Sequence, residues 1–294
     1  MSAFSDEIRR SYKAYDDARD AGLTVPDGIW CAEDLIYGRD PVWQSMDLYR
    51  PESLKGRQLP VIVSVHGGGW VYGDKELYSY YCMGLALHGF AVVNFNYRLA
   101  PEHPYPASIE DINQVFAWIL KYAVAYDLDT AHLFAIGDSA GAHMLSLYAA
   151  LLTNPAYASQ YAFQVPDGCI LTAQVLNCGI YQVDHLYDFD EETAGLIREY
   201  VSFDASKEKL YQISTVHFVT RDYPPTYCMT STGDYLKAQT PLLCETLFRH
   251  NVPFELHYFG NDKIQPEHDF QMNIRSQEAI RLNKEECDYF KGFL

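Results

Sequence analysis

Long apolar runs are missing from this chain. No stretch of its 294 residues is apolar for long enough to span a bilayer as a helix, and Met1 to Arg10 carry no apolar signal core. We therefore expect no membrane span and a cytoplasmic address. Basic residues are scarce as well: 22 Lys and Arg against 39 Asp and Glu leave a formal net charge of −17. That balance disfavours nucleic acid, anionic membrane surfaces and phosphorylated ligands as partners. The seven cysteines, Cys31, Cys82, Cys169, Cys178, Cys228, Cys244 and Cys287, are odd in number and scattered, without a C-x-x-C pair. Reduced and mostly buried thiols are expected. Neither G-x-x-x-x-G-K-[ST] nor G-x-G-x-x-G occurs, so phosphate cradling is a weak reading of any glycine-rich loop. The acidic cluster Asp188, Asp190, Glu191 and Glu192 lacks ordered ligand spacing and reads as a solvated face. No metal and no organic cofactor is expected, and no repeat or low-complexity linker divides the chain. With 48% hydrophobic and 15% aromatic residues, it can bury one large sheet-and-helix core.

What is present is more specific. Gly137-Asp138-Ser139-Ala140-Gly141 fits G-x-S-x-G, the nucleophile elbow of serine hydrolases. A serine on a sharp strand-to-helix turn needs neighbours without bulky side chains, and Gly137 and Gly141 supply that room. Leu133 to Ile136 ahead of the turn form the continuous apolar run of a strand buried on both faces. Behind it, Met144, Leu145, Tyr148, Leu151 and Leu152 recur at helical spacing. Such a helix directs its N-terminal amides and positive dipole end toward the serine. A second, independent signal is His66-Gly67-Gly68-Gly69-Trp70, directly after the apolar strand Val61 to Val65. Consecutive glycines can leave N–H groups turned outward, as an oxyanion hole requires.

Through H-G-G-G-W at 66–70, Y-R-L-A-P-E at 97–102 and G-D-S-A-G at 137–141, the chain resembles the hormone-sensitive-lipase-like branch of α/β-hydrolases, which includes many bacterial carboxylesterases. The similarity runs from about residue 45 to the C-terminus. It implies an α/β-hydrolase fold, a mostly parallel central sheet flanked by helices, with a Ser-His-Asp triad. It also implies Ser139 as nucleophile and the amides of Gly68, Gly69 and Ala140 as oxyanion hole. Chain order in this fold puts the acid after the elbow and the histidine last. Asp234 closes the strand-like run Pro225 to Gly233 and matches the acid position; Asp262 is its rival, and its bland reading is a helix N-cap. His268 lies in a loop after the strand Phe254 to Phe259 and before the final helix, whereas its rival His257 alternates within that strand. Three positions depart from the family pattern: Ala142 and Asp269 where glycine is common, and Ala238 where aspartate is frequent. Asp269 beside His268 either raises the pKa of the base or points into solvent.

The Tyr97 to Glu102 segment is expected to be structural, with Arg98 and Glu102 bracing the glycine loop. Ile109, Ile112, Val115, Phe116, Ile119 and Leu120 mark a core-facing helix after Pro106. We expect one domain over 1–294, with a small helical cap from about 1–43 and about 182–217, both outside the sheet. That cap would bring Tyr12, Tyr15, Trp30, Tyr187, Phe189, Tyr200 and Phe203 near the active-site mouth, although each aromatic has a bland alternative as glue between cap and core. The leading reading is a serine carboxylesterase for short-acyl, uncharged esters, a preference implied by the resemblance. The alternatives are a deacetylase or feruloyl esterase acting on acylated sugars and, from another class, a non-catalytic small-molecule-binding protein of this fold. A small ester is the expected partner, and pairing of two subunits through an edge strand or cap helix stays open.

Overall fold

The computed structural model describes residues 2–294. Eight strands form one sheet: β1 (Ile29–Ile36), β2 (Ser45–Pro51), β3 (Leu59–Val65), β4 (Ala91–Phe95), β5 (Leu128–Asp138), β6 (Ala173–Asn177), β7 (Thr226–Ser231) and β8 (Phe254–Phe259). Their spatial order is β1-β2-β4-β3-β5-β6-β7-β8. β1 and β2 run antiparallel, and β3 to β8 pair in parallel. The central strands are covered on both faces, which is why they read as unbroken apolar runs. In β5, Leu133 and Ala135 enter one core cluster and Phe134 and Ile136 the other. Leu133, Phe134 and Ile136, buried there, each contribute about 1.5–3 kcal/mol.

Helices α2 (Ser79–Ala86) and α9 (Gln277–Lys291) pack on one face through Tyr81, Cys82, Leu282, Cys287 and Phe290. On the other lie α3 (Ala107–Tyr122), α4 (Ser139–Thr153) and α8 (Gln239–Arg249), through Ile109, Phe116, Met144, Tyr148, Leu243 and Leu247. The short α5 (Pro155–Ala158) continues from α4. All seven cysteines are free and five are buried. None of the described helices is long and apolar enough to cross a membrane.

The expectation that everything before about residue 43 lies outside the sheet is corrected. Helix α1 (Ala3–Asp20) does, but Ile29–Ile36 is the outermost strand β1, and Trp30 lies on it. The 182–217 stretch holds α6 (Glu191–Tyr200) and α7 (Lys207–Gln212). α6 rests against α1: the Tyr12 hydroxyl donates to Glu192 Oε1 at 2.9 Å, and Ser2 hydrogen-bonds Glu199. The end of this stretch is not a surface flap, since Ile213, Ser214 and Thr215 are fully buried against the core.

Candidate active site

Four chain segments at the C-terminal ends of the parallel strands meet at one point. Ser139 stands between β5 and α4 with φ +49°, a left-handed conformation that costs a non-glycine residue on the order of 1–3 kcal/mol and that the surrounding packing enforces. A Cβ on Gly137 would sit 2.8 Å from the carbonyl carbon of Gly141, and one on Gly141 only 2.0 Å from the Val65 carbonyl oxygen. Both glycines are therefore dictated by contact. Ala142 is fully buried and fits the same crossing.

Asp234 follows β7 and is 1% exposed. Its Oδ2 accepts from the Thr230 hydroxyl at 2.7 Å and its Oδ1 from the Leu236 amide at 2.9 Å. His268, on the loop after β8, donates from Nδ1 to Asp234 Oδ1 at 2.7 Å, and its Nε2 lies 2.9 Å from Ser139 Oγ. Burial opposes ionisation of Asp234, but the His268 contact, the Thr230 hydroxyl and the Leu236 amide outweigh it and hold the carboxyl below its ordinary range. The three residues thus form one continuous relay. The rivals stand apart from it: His257 stacks on Tyr227 with ring centroids 3.9 Å apart and bonds Glu255 at 2.9 Å, and Asp262 is exposed.

The glycine loop faces the same point. Gly68 and Gly69 have φ of +105° and +59°, and their amides donate to no acceptor among the described residues. The Ala140 amide lies in the first turn of α4, where no intrahelical acceptor exists. The loop is fixed from beneath. The Tyr97 hydroxyl donates to the His66 carbonyl at 2.9 Å, and Tyr78 accepts from the Gly67 amide at 2.9 Å while donating to Asp138 Oδ2 at 2.5 Å. Trp70 Nε1 donates to His143 Nδ1 at 3.1 Å, and burial pushes His143 down to about 4, so its ring is neutral and accepts. Glu102 braces this loop through Arg9, which pairs with it at 2.6 Å and donates to the Val71 carbonyl at 2.8 Å. Arg98 does not: its guanidinium donates to Asp111 at 3.0 Å and to the Ala107 carbonyl at 3.0 Å, pinning the start of α3 instead.

A cavity of 770 Å³ opens over the serine, lined by Gly67, Gly68, Gly69, Ser139, His268 and Asp269, by Tyr12, Tyr15, Asp16 and Arg19 of α1, and by Tyr72, Tyr78, Glu192 and Tyr235. Of the aromatics expected at the mouth, Tyr12 and Tyr15 line it. Tyr187 and Phe189 border a separate surface hollow, Tyr200 stacks under Trp70 at 4.9 Å, Phe203 is 66% exposed, and Trp30 lies in the sheet. The corrected positions share a cause: composition marks an aromatic but not the direction its backbone gives it. For the same reason the sequence does not mark Tyr72, Tyr78 and Tyr235 as lining residues. For α1 the signal was available, since positions 12, 15, 16 and 19 fall on one helical face.

The sequence profile of the BD-FAE family matches residues 46–246, more than half of the chain and including both glycine motifs. The chain belongs to the BD-FAE family. Among curated relatives, Esterase LipC of Mycobacterium tuberculosis is 28% identical over 202 residues, 65% of this chain and 48% of its own. Esterase LipQ of the same organism is 27% identical over 206 residues, 68% of this chain and 48% of its own. The chain therefore spans about half the length of the curated relatives it matches. Among solved structures, Esterase B from Lactobacillus rhamnosis superposes with a TM-score of 0.87 at 24% identity, covering 99% of this chain and 95% of that one. The fold of this BD-FAE member is that of an α/β-hydrolase.

Proposed function

We propose that the chain is a serine carboxylesterase. The observation that carries this reading is the unbroken relay from Asp234 through His268 to Ser139 Oγ at 2.7 and 2.9 Å, beside unpaired glycine-loop amides at the floor of a cavity. The esterase names of its curated relatives support it. In the proposed cycle, neutral His268 Nε2 takes the Ser139 proton as Oγ attacks the ester carbonyl carbon. Negative charge moves to the carbonyl oxygen, where the amides of Gly68, Gly69 and Ala140 donate, each worth about 10²–10³ in rate. The intermediate collapses, the alkoxide leaves with the proton from Nε2, and an acyl-Ser139 ester remains. Water then attacks with its proton drawn to the same nitrogen, and Ser139 is regenerated. Asp234 holds the ring in the productive tautomer and stabilises its charged form.

Helices α1 and α6 act as the cap in this reading. Arg19 is neutralised by Asp16 and Asp20 at 2.7 and 2.6 Å, while Glu192, Glu267 and Asp269 keep the lining acidic. Anionic esters are repelled, and short uncharged acyl groups are favoured. One observation favours a second reading, deacylation of acylated sugars. Tyrosine hydroxyls and carboxylates around the mouth, including Tyr15 donating to Glu267 at 3.2 Å, offer partners to sugar hydroxyls.

The test is hydrolysis of p-nitrophenyl esters from acetate to decanoate, and of acetylated sugars, by wild type, Ser139→Ala, His268→Ala and His257→Ala. Turnover of short esters, lost in the first two variants and kept in the third, is expected. An inert wild type, or loss in His257→Ala alone, overturns the reading.

A further inference from the structure

His268 has a second carboxylate. Besides the Asp234 contact on Nδ1, its Nε2 lies 3.1 Å from Asp269 Oδ2, nearly as close as it lies to Ser139 Oγ. Asp269 adopts φ +55°, ψ +32°, the left-handed conformation that aspartate tolerates better than most residues, and this turn folds its carboxylate back over the preceding imidazole. Its other oxygen, Oδ1, is buried without a hydrogen-bond partner among the described residues. Nothing else there explains the placement of the charge. A neutral ring with its proton on Nδ1 would present a lone pair to this carboxylate, which is repulsive; an imidazolium presents an N–H, which is attractive.

We propose that Asp269 is a positioning residue that gives the reacting histidine a second counter-ion and thereby sets the pH at which the serine relay switches on. This rests on the esterase reading above. The imidazolium held between Asp234 and Asp269 cannot accept the Ser139 proton until Nε2 has lost its own proton to solvent. Once Oγ has attacked, the same two carboxylates stabilise the imidazolium that forms. Asp269 therefore lowers the rate at acidic pH and raises it at alkaline pH.

The other groups facing the ring do not duplicate this role. Tyr235, on the Asp234 loop, has its ring centroid 4.4 Å away. Cys178, after β6, is fully buried, and burial pushes its thiol up to about 12, so it stays neutral. Asp138, before the elbow, is driven well above the carboxylate range by burial and by the charge of Asp269, and it receives the Tyr78 hydroxyl. Tyr12 approaches from α1, with burial pushing its hydroxyl far up. For His268 itself burial opposes the charge, yet Asp269 and Asp234 outweigh it and hold the ring well above its ordinary value, while burial keeps the Tyr235 hydroxyl neutral.

The experiment is the pH profile of kcat/KM for wild type, Asp269→Asn and Asp269→Gly, with His268 titrated in each by NMR. Both substitutions suit a left-handed residue. The acidic limb is expected to move down by about 1–3 pH units, with the variants faster than wild type below the wild-type limb and slower on the alkaline plateau. Asp262→Asn, an exposed carboxylate before the same loop, moves neither limb. A uniform fall in rate with an unmoved limb would show a merely structural role and overturn the proposal, as would an unchanged His268 titration in both variants. If wild type hydrolyses no ester while the His268 titration still drops in both variants, the esterase reading fails and the counter-ion role of Asp269 stands.

Discussion

Gly141→Ala tests the elbow at its tightest point. The added methyl would stand 2.0 Å from the Val65 carbonyl oxygen, 2.6 Å from the His66 carbonyl oxygen and 2.8 Å from the His66 carbonyl carbon. All three are backbone atoms and cannot rotate aside, so α4 and the end of β3 must part by about an ångström. Overpacking of this kind costs about 1–3 kcal/mol. The functional cost is separate. His66 begins the glycine loop, so any shift there moves the proposed oxyanion donors, and displacement by an ångström costs about 10² in rate. Urea unfolding and kcat/KM on a short ester, measured on the alkaline plateau, read the two effects independently. Gly84→Ala is the control: it lies inside α2, a Cβ there meets nothing within 4 Å, and the change should stabilise by about 0.5–1 kcal/mol. If Gly141→Ala unfolds at the wild-type urea midpoint with unchanged kcat/KM, the contact argument for the elbow is wrong.

Two further perturbations concern ionisable groups away from the relay. Glu286 of α9 is fully buried, its Oε1 accepts from Asn177 Nδ2 at 2.6 Å, and burial pushes its carboxyl up to about 8. The native state therefore keeps a proton that the unfolded chain releases above about pH 4.3. Stability from this group is present below that pH and is lost as pH rises to about 8, by an amount on the order of 5 kcal/mol. Glu286→Gln should flatten the dependence, so its melting temperature gains on wild type between pH 5 and 8; parallel curves would refute the protonated state. Arg9 ties α1 to the glycine loop through Glu102, the Val71 carbonyl and the Ala100 carbonyl at 3.0 Å. Arg9→Ala should cost about 1–3 kcal/mol, speed proteolysis within α1 and raise KM more than it lowers kcat. Unchanged KM and cleavage would separate α1 from the cavity.

Much of the candidate site was legible because its parts are local. Gly137, Gly141 and the 67–69 run declare close backbone approach within five residues, and the flanking apolar runs declare buried strands. Chain order then singles out Asp234 and His268, and the structure brings both to Ser139. The losses have physical causes. Strand β1 carries Glu33 and Asp34, its pairing shifts between Ala32 and Leu35, and at the edge of the sheet it is only partly buried, so its alternation is broken. The partner of Arg98 is not legible in the sequence, because Asp111 reaches it only once α3 has docked.

The amino-acid sequence alone determined the class of fold and the strand-to-helix elbow, since these depend on periodicity and on glycine where no Cβ fits, and the resemblance carried by those motifs implied the order of the three relay residues. Tertiary structure alone decided that Ile29–Ile36 joins the sheet instead of the cap, which of the tyrosines line the cavity, and that Asp269 turns back onto His268 instead of toward solvent. Those outcomes hang on strand pairing, on a left-handed turn at Asp269 and on contacts between segments far apart in the chain, where packing and not residue type sets the direction of a side chain.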